Sequence, residues 1–216
     1  SGLVRRAGVE KGLVDDVIAG CVSPTDAQGA NIARLALLKA GFPHHVAGVQ
    51  IDRVCGSSQQ AAHFAHQAIA TGDVDLVIAC GIEMLSQLPM GTTWGVLTEE
   101  FLAGFPHPLN SMGICAELVA AKWGISREEM EEYSAQSHIR AAHATAQGWF
   151  KSQIMPIAVT RDGQEVVVDA DEGIRANPDR EKMKTLKPAF KPDGVVTAAT
   201  ASQVTDGAAA VLLASG

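Results

Sequence analysis

At 216 residues, 47% hydrophobic and 19% charged, the chain carries enough apolar material for one large domain or a domain with an insertion, which argues against disorder. Its net charge of −7 argues against a broad nucleic-acid surface, and no apolar run reaches the ~18 residues that span a bilayer. Cys21, Cys55, Cys80 and Cys115 lie far apart with no CxxC or Cys/His spacing, so neither a zinc site nor a disulfide framework is expected; with no secretory leader visible, a reducing cytoplasm fits best.

The first third alternates strands and helices. Residues 13–22, LVDDVIAGCV, read as a strand, and 27–41 as a helix with Ile32, Leu35, Ala36 and Leu38 at helical spacing and Gly41 as its stop. In residues 48–54 Val49 and Ile51 alternate with Gln50 and Asp52, the period of a strand. Residues 56–72 then read as a helix with Ala61, Phe64, Ala65, Ala68 and Ile69 along one face. Residues 74–80, VDLVIAC, form the continuous apolar run of a parallel strand covered on both sides. The pattern predicts β-α-β-α-β with right-handed crossovers.

From residue 84 the rhythm breaks, with Gly, Pro and Trp but no period up to residue 113. Residues 125–148 then predict a long helix with a Ser126/Glu129 capping box, an apolar face of Met130, Tyr133, Ser137, Ala141 and Ala144, and a stop at Gly148. Short strands are expected at 154–159 and 165–171, and a buried strand at 205–216. Residues ~84–200 therefore read as an excursion before the last strand of the sheet. A parallel sheet needs cover on both faces, so the few helices available predict a piece of a larger globule or a partner that completes the core.

Cys55 draws attention because it stands where a strand hands over to a helix, the place where α/β folds put chemistry. A helix N-terminus favours a thiolate, but by only ~0.3–1 kcal/mol. A nucleophilic Cys55 therefore needs a neighbouring base, and an inert buried thiol remains the alternative. Cys80 reads as a packing residue against Gly81, and Cys21 and Cys115 as small core residues. His63 and His66 follow one to two turns down the helix, pointing away from its start; His44 and His45 sit in a loop. Between residues 175 and 191 six basic side chains (Arg175, Arg180, Lys182, Lys184, Lys187 and Lys191) face only Asp179 and Glu181. That reversal of sign suggests a local anion site, with a solvated loop as the plainer reading.

The segments VCGSSQQA around Cys55, CGIEMLSQLPMG at 80–91, SMGICAE at 111–117, VDADEGIR at 168–175, LKPAFKPDG at 186–194 and VTAATASQVTDGAAAVLLAS at 196–215 together resemble the thiolase family in order and spacing. The resemblance covers nearly the whole chain and is nearest to the degradative 3-ketoacyl-CoA type. It implies an α/β layered fold: a thiolase N-terminal half with a mostly parallel sheet, residues 1–83 and 201–216, lacking its first strand, and an inserted α+β loop domain, residues 84–200, that binds coenzyme A. The C-terminal half is then absent.

By the same resemblance Cys55 is the nucleophile that accepts the acyl group, with its backbone N–H in an oxyanion hole. Met112 stands near the acyl end of coenzyme A, Arg175 near the nucleotide, Ala189 and Phe190 against the adenine, and Ser202 along the pantetheine. Coenzyme A and acyl-CoA are substrates, and no metal or redox cofactor is implied. A homodimer or homotetramer is implied, with the strand at 48–54 as the element that pairs across a two-fold axis. Neither nucleic acid nor membrane is an expected partner. The chain departs from the family at Ser111, where a His is common before Met-Gly, at Cys80, where Gly is common, and at Thr200, where biosynthetic relatives often carry Asn. The family's Asn-Glu-Ala-Phe, Gly-His-Pro and C-terminal Cys-x-Gly motifs, which supply the activating His and the acid/base cysteine, do not occur in it. The 216 residues alone are therefore expected to be inactive.

Overall fold

The computed structural model describes residues 1–94, 97–106, 109 and 111–216. The aperiodic stretch after residue 84 thus lies partly outside them, at Gly95, Val96, His107, Pro108 and Asn110. The chain divides into two compact units, one of Ser1–Phe101 with Val204–Gly216 and one of Leu102–Gln203. The inserted segment expected from the sequence spans 84–200; the compact unit runs from Leu102 to Gln203. Residues just after 84 are tied into the first unit, where Ser86 donates from its N–H and its hydroxyl to the Asp206 carboxylate at 2.8 and 2.6 Å. Those bonds hold the Asp206 carboxyl below its usual range.

The first unit is built on a four-stranded sheet of β1 (Asp16–Gly20), β2 (Ala47–Ile51), β3 (Leu76–Met84) and β6 (Asp206–Ala214), in the order β2-β1-β3-β6. β1 pairs in parallel with both β2 and β3, as the β-α-β-α-β reading requires. Its helices are α1 (Gly2–Ala7), α2 (Ile32–Lys39) and α3 (Ser57–Ala70). Because side chains alternate across a strand, the sheet carries two separate apolar layers. Val17 and Ile78 pack with Val4, Leu37, Phe42 and Val46 on the side of α1 and α2. Ile18, Val77 and Ala79 pack with Ala61 and Ala65 of α3 on the other.

Several expectations change here. β6 runs antiparallel to β3, at the edge of the sheet, and its residues from Asp206 to Val211 are exposed rather than buried. An apolar run carries no direction, and the antiparallel partner takes no crossover helix to cover it. Val49, on the apolar side of its strand's alternation, and Phe64, on the apolar face of its helix, are both about two-fifths exposed. β2 is the other edge, so Val49, paired with Ile18 of β1, has no strand on its outer side among the described residues. α2 starts five residues later than predicted, after Asn31, whose side chain accepts the Arg34 N–H.

The second unit contains α5 (Met112–Trp123), α6 (Arg127–Ala146), a hairpin of β4 (Ile157–Arg161) and β5 (Gln164–Val168), and α7 (Arg180–Thr185); the five-residue α4 (Glu99–Ala103) precedes them. The Ser126/Glu129 capping box forms with both of its bonds. The buried face of α6 is Glu131, Ala135 and Ala144, however, and Tyr133 is 78% exposed. The β4–β5 loop is Asp162-Gly163, both at positive φ, the pairing that matches strand twist in a two-residue turn. α5 was not legible: its residues are apolar nearly all round, so no stripe marks it. Among the described residues, no helix is long and apolar enough to cross a membrane.

α6 and α7 are clamped by charge. Arg127 donates to the Met183, Lys184 and Leu186 carbonyls at 2.8–3.0 Å, closing the C-terminal end of α7, and also pairs with Glu131. Arg180 grips Glu132 through two hydrogen bonds of 2.8 and 3.0 Å and pulls its carboxyl down to about 2 from 4.5. A depressed carboxyl stabilises the fold above its unfolded value and loses that contribution as pH falls through its folded one. The wild type is therefore expected to melt higher than Arg180→Gln at pH 6. The gap should close between pH 4.5 and pH 2, as followed by thermal melts at stepped pH.

Candidate active site

Cys55 sits on a sharp bend between the end of β2 and the start of α3, and it is exposed. Val54 before it has φ +48°, a left-handed conformation that a β-branched side chain rarely adopts. The bend is held by its own neighbours. The Asp52 carboxylate accepts the Val54 N–H at 2.8 Å, and the Gly56 N–H reaches the Arg53 carbonyl at 3.0 Å. Arg53 also donates from its guanidinium to Gln60 in the first turns of α3.

The bend opens on a cleft of about 630 Å³ lined by the ends of β1 and β3, the start of α3 and residues 207–211 of β6. Two glycines let α3 come so close to the sheet. Gly20 and Gly81 face each other across the β1/β3 ladder, and a Cβ on either would lie 2.4 Å from the Ser58 nitrogen or 1.9 Å from its hydroxyl oxygen. Only bare backbone fits there. Glu83, also lining the cleft, accepts the Val22 N–H at 2.8 Å and the Gln28 amide at 2.9 Å. Gln28 is fully buried and satisfied, donating to Ser23 as well and accepting from the Met84 N–H, so the loop after β1 is fastened to the end of β3.

The cysteines separate cleanly. Cys80 packs with the layer beneath α1 and α2, and burial pushes its thiol up to about 11. Cys21 is buried, and desolvation followed by the nearby Glu83 charge raises its thiol too. Cys115 is exposed, which corrects its reading as a core residue; it lies in the second unit. No histidine lines the cleft among the described residues. His63 and His66 are exposed on α3, and His45 bonds the Gly12 carbonyl.

In the second unit, Met112 opens α5 and Gly113 follows it. The Phe190 ring lies on Gly113 so closely that a Cβ there would sit 2.1 Å from a ring carbon. Ala189, next to it, donates its N–H to the Val196 carbonyl at 2.9 Å, which folds residues 188–197 back on themselves. Arg175 is exposed, and its backbone N–H donates to His138 at 3.2 Å. Gln203, beside Ser202, donates to the Gly173 carbonyl at 2.7 Å, so the segments carrying Arg175 and Ser202 meet. The anion site suggested by six basic residues is smaller than expected. Arg180 is spent on Glu132, Lys184 on Glu181 and Lys191 on Asp193. Arg175, Lys182 and Lys187 are the three without an ion pair among the described residues.

The whole chain, residues 1–216, matches the family model of the thiolase N-terminal domain. The chain belongs to the thiolase family. Its curated relatives include a steroid 3-ketoacyl-CoA thiolase of Mycobacterium tuberculosis, 45% identical over 99% of this chain and 54% of the relative. A 3-ketoacyl-CoA thiolase of Idiomarina loihiensis is 42% identical over 99% of the chain and 55% of the relative, and one of Bacillus subtilis 40% identical over 97% and 56%. The chain thus spans about half the length of the curated relatives it matches. As a thiolase N-terminal domain it carries the expected α/β fold with a mostly parallel sheet. The sequence reading found Cys55 at its joint but missed what shapes the joint: the left-handed Val54, the two facing glycines and the Glu83–Gln28 fastening. The spacing of Gly20 and Gly81 at the ends of two apolar strands was the one available signal.

Proposed function

We propose that this chain is the nucleophile-bearing part of a thiolase that cleaves 3-ketoacyl-CoA with coenzyme A, or runs the reverse condensation. Cys55 Sγ attacks the 3-keto carbon, the bond between C2 and C3 breaks, and the departing enolate of acetyl-CoA takes up a proton. The thiolate of a second coenzyme A then attacks the cysteine thioester, releasing a shortened acyl-CoA and restoring the sulfur. The exposed thiol at a cleft, just before a helix start with no side-chain cap, is the observation that carries this reading, because negative charge develops on the carbonyl oxygen in both steps. Met112, Arg175, Ala189, Phe190 and Ser202 are assigned to coenzyme A, with Lys182 and Lys187 free to meet its phosphates. The unpaired outer edge of β2 supports a homodimer or homotetramer.

The cleft holds no imidazole among the described residues, so the base that ionises Cys55 must come from elsewhere. The 216-residue chain is therefore expected to show no thiolysis of acetoacetyl-CoA above buffer, whereas a polypeptide of the relatives' full length that carries it turns over. Turnover by the short chain at the rate of the long one would overturn the assignment. A bulky acyl group is the second reading, favoured by the small residues Gly207 to Ala210 along the cleft and by the 45% identity to a relative named as a steroid thiolase. Rates across acyl-chain lengths separate the two.

A further inference from the structure

We infer that Ser57 is a positioning residue for the thiol, the group that holds Val54 in its strained conformation and so aims Cys55 into the cleft; this deepens the thiolase reading and rests on it. A serine at the start of a helix ordinarily stands at the capping position and bonds forward to the next amides. Here that position is Gly56, which gives no side-chain cap, and the serine stands one residue later and turns backward. Its hydroxyl accepts the Arg53 N–H at 2.8 Å and donates to the Val54 carbonyl at 2.6 Å. Its own N–H reaches the same carbonyl at 3.1 Å. The side chain is buried, at 2% exposure, so water does not substitute for it.

The arrangement does two things at once. Left-handed backbone strains a β-branched residue, and it persists only where surrounding bonds over-determine it. The Ser57 hydroxyl ties the Arg53 N–H to the Val54 carbonyl and so spans the residue from one side, while Asp52 on the exposed side takes the Val54 N–H. By turning back, the same hydroxyl leaves the amides in the first turn of α3, which begins two residues after Cys55, without a side-chain cap. Without it, Val54 relaxes to negative φ and carries Cys55 away from those amides.

The test has two arms. In the full-length polypeptide, Ser57→Ala is expected to lower kcat for acetoacetyl-CoA thiolysis about 10- to 100-fold, the cost of a small misplacement of a reacting group, with KM for coenzyme A within about twofold. Ser57→Thr, which keeps the hydroxyl, recovers most of the rate. Val54→Gly removes the strain, so adding Ser57→Ala to it costs much less than it does beside valine. In this 216-residue chain, Ser57→Ala is expected to slow iodoacetamide alkylation of Cys55 about two- to fivefold, the worth of a helix end, while Cys115 keeps its rate by peptide mass spectrometry. Equal losses for Ser57→Ala in the wild type and in the Val54→Gly background would overturn the inference, as would Thr and Ala variants that behave alike. The alkylation arm needs no turnover: a normal Ser57 dependence there, with no thiolysis by the full-length protein, would sink the proposed function and leave the elbow standing.

Discussion

Replacing Cys55 with alanine in the full-length polypeptide is expected to cut thiolysis of acetoacetyl-CoA by a thousandfold or more, since the other two thiols along the cleft, Cys21 and Cys80, are less exposed and held neutral by burial. A nucleophile that forms a covalent intermediate divides one difficult step into two, and removing it leaves only binding and oxyanion stabilisation, about 10³-fold or more below the intact enzyme. The other cysteines provide the contrast. Cys80 faces the opposite layer of the sheet with its thiol held neutral at about 11, and Cys115 lies in the other unit. Alanine at either should leave turnover within about twofold. Burst-phase release of acetyl-CoA, followed with a trapped acyl-enzyme by intact mass, reads the same point directly: the acyl mass should appear on the Cys55 peptide. Thiolysis that survives Cys55→Ala would make the domain an acyl-CoA-binding scaffold and not the seat of the chemistry.

What could be read from the residues follows from where the information lies. β1, β3 and α3 were legible because apolar period and run length are local properties, and the Ser126/Glu129 box because it spans only four consecutive residues. The direction of β6 was not, since Gly-Ala-Ala-Ala-Val reads alike in a parallel or antiparallel partner. Tyr133 was placed on the buried face of α6 by hydrophobicity, yet the face that packs uses Ala135, Ala144 and a Glu131 bonded to Arg127. The charge count over residues 175–191 failed for a related reason: Glu132, which neutralises Arg180, stands 48 positions away in the chain. Cys55 was visible because a thiol at a strand-to-helix joint is unusual on its face. The bend that aims it was not, because nothing in Asp-Arg-Val-Cys announces that the valine is left-handed. Only the contacts of Ser57 and Asp52 with its peptide groups reveal why that conformation holds.

Glu117→Ala is expected to produce the largest loss of stability in the second unit. Glu117 projects from α5 and is only 3% exposed, and among the described residues it has no ion-pair partner. Its carboxylate instead accepts the Val195 N–H through both oxygens at 3.0 Å and the Val196 N–H at 2.9 Å. Gly194 makes this possible, as a Cβ there would fall 2.3 Å from the carboxylate oxygen. Truncation strands two amides, Val196 fully buried, and removes charged hydrogen bonds, about 2–4 kcal/mol in all. For a chain of this size that is roughly 4–16 °C in melting temperature. Glu117→Gln keeps one acceptor and should fall between. The same segment carries Ala189 and Phe190, and Phe190 rests on Gly113 one turn before Glu117 along α5. Loosening it should therefore raise KM for coenzyme A in the full-length polypeptide while the rate at saturation changes little. A Glu117→Ala protein that melts within a degree of wild type would mean that the 188–197 segment holds its shape without α5, and the link from SMGICAE to LKPAFKPDG would fail.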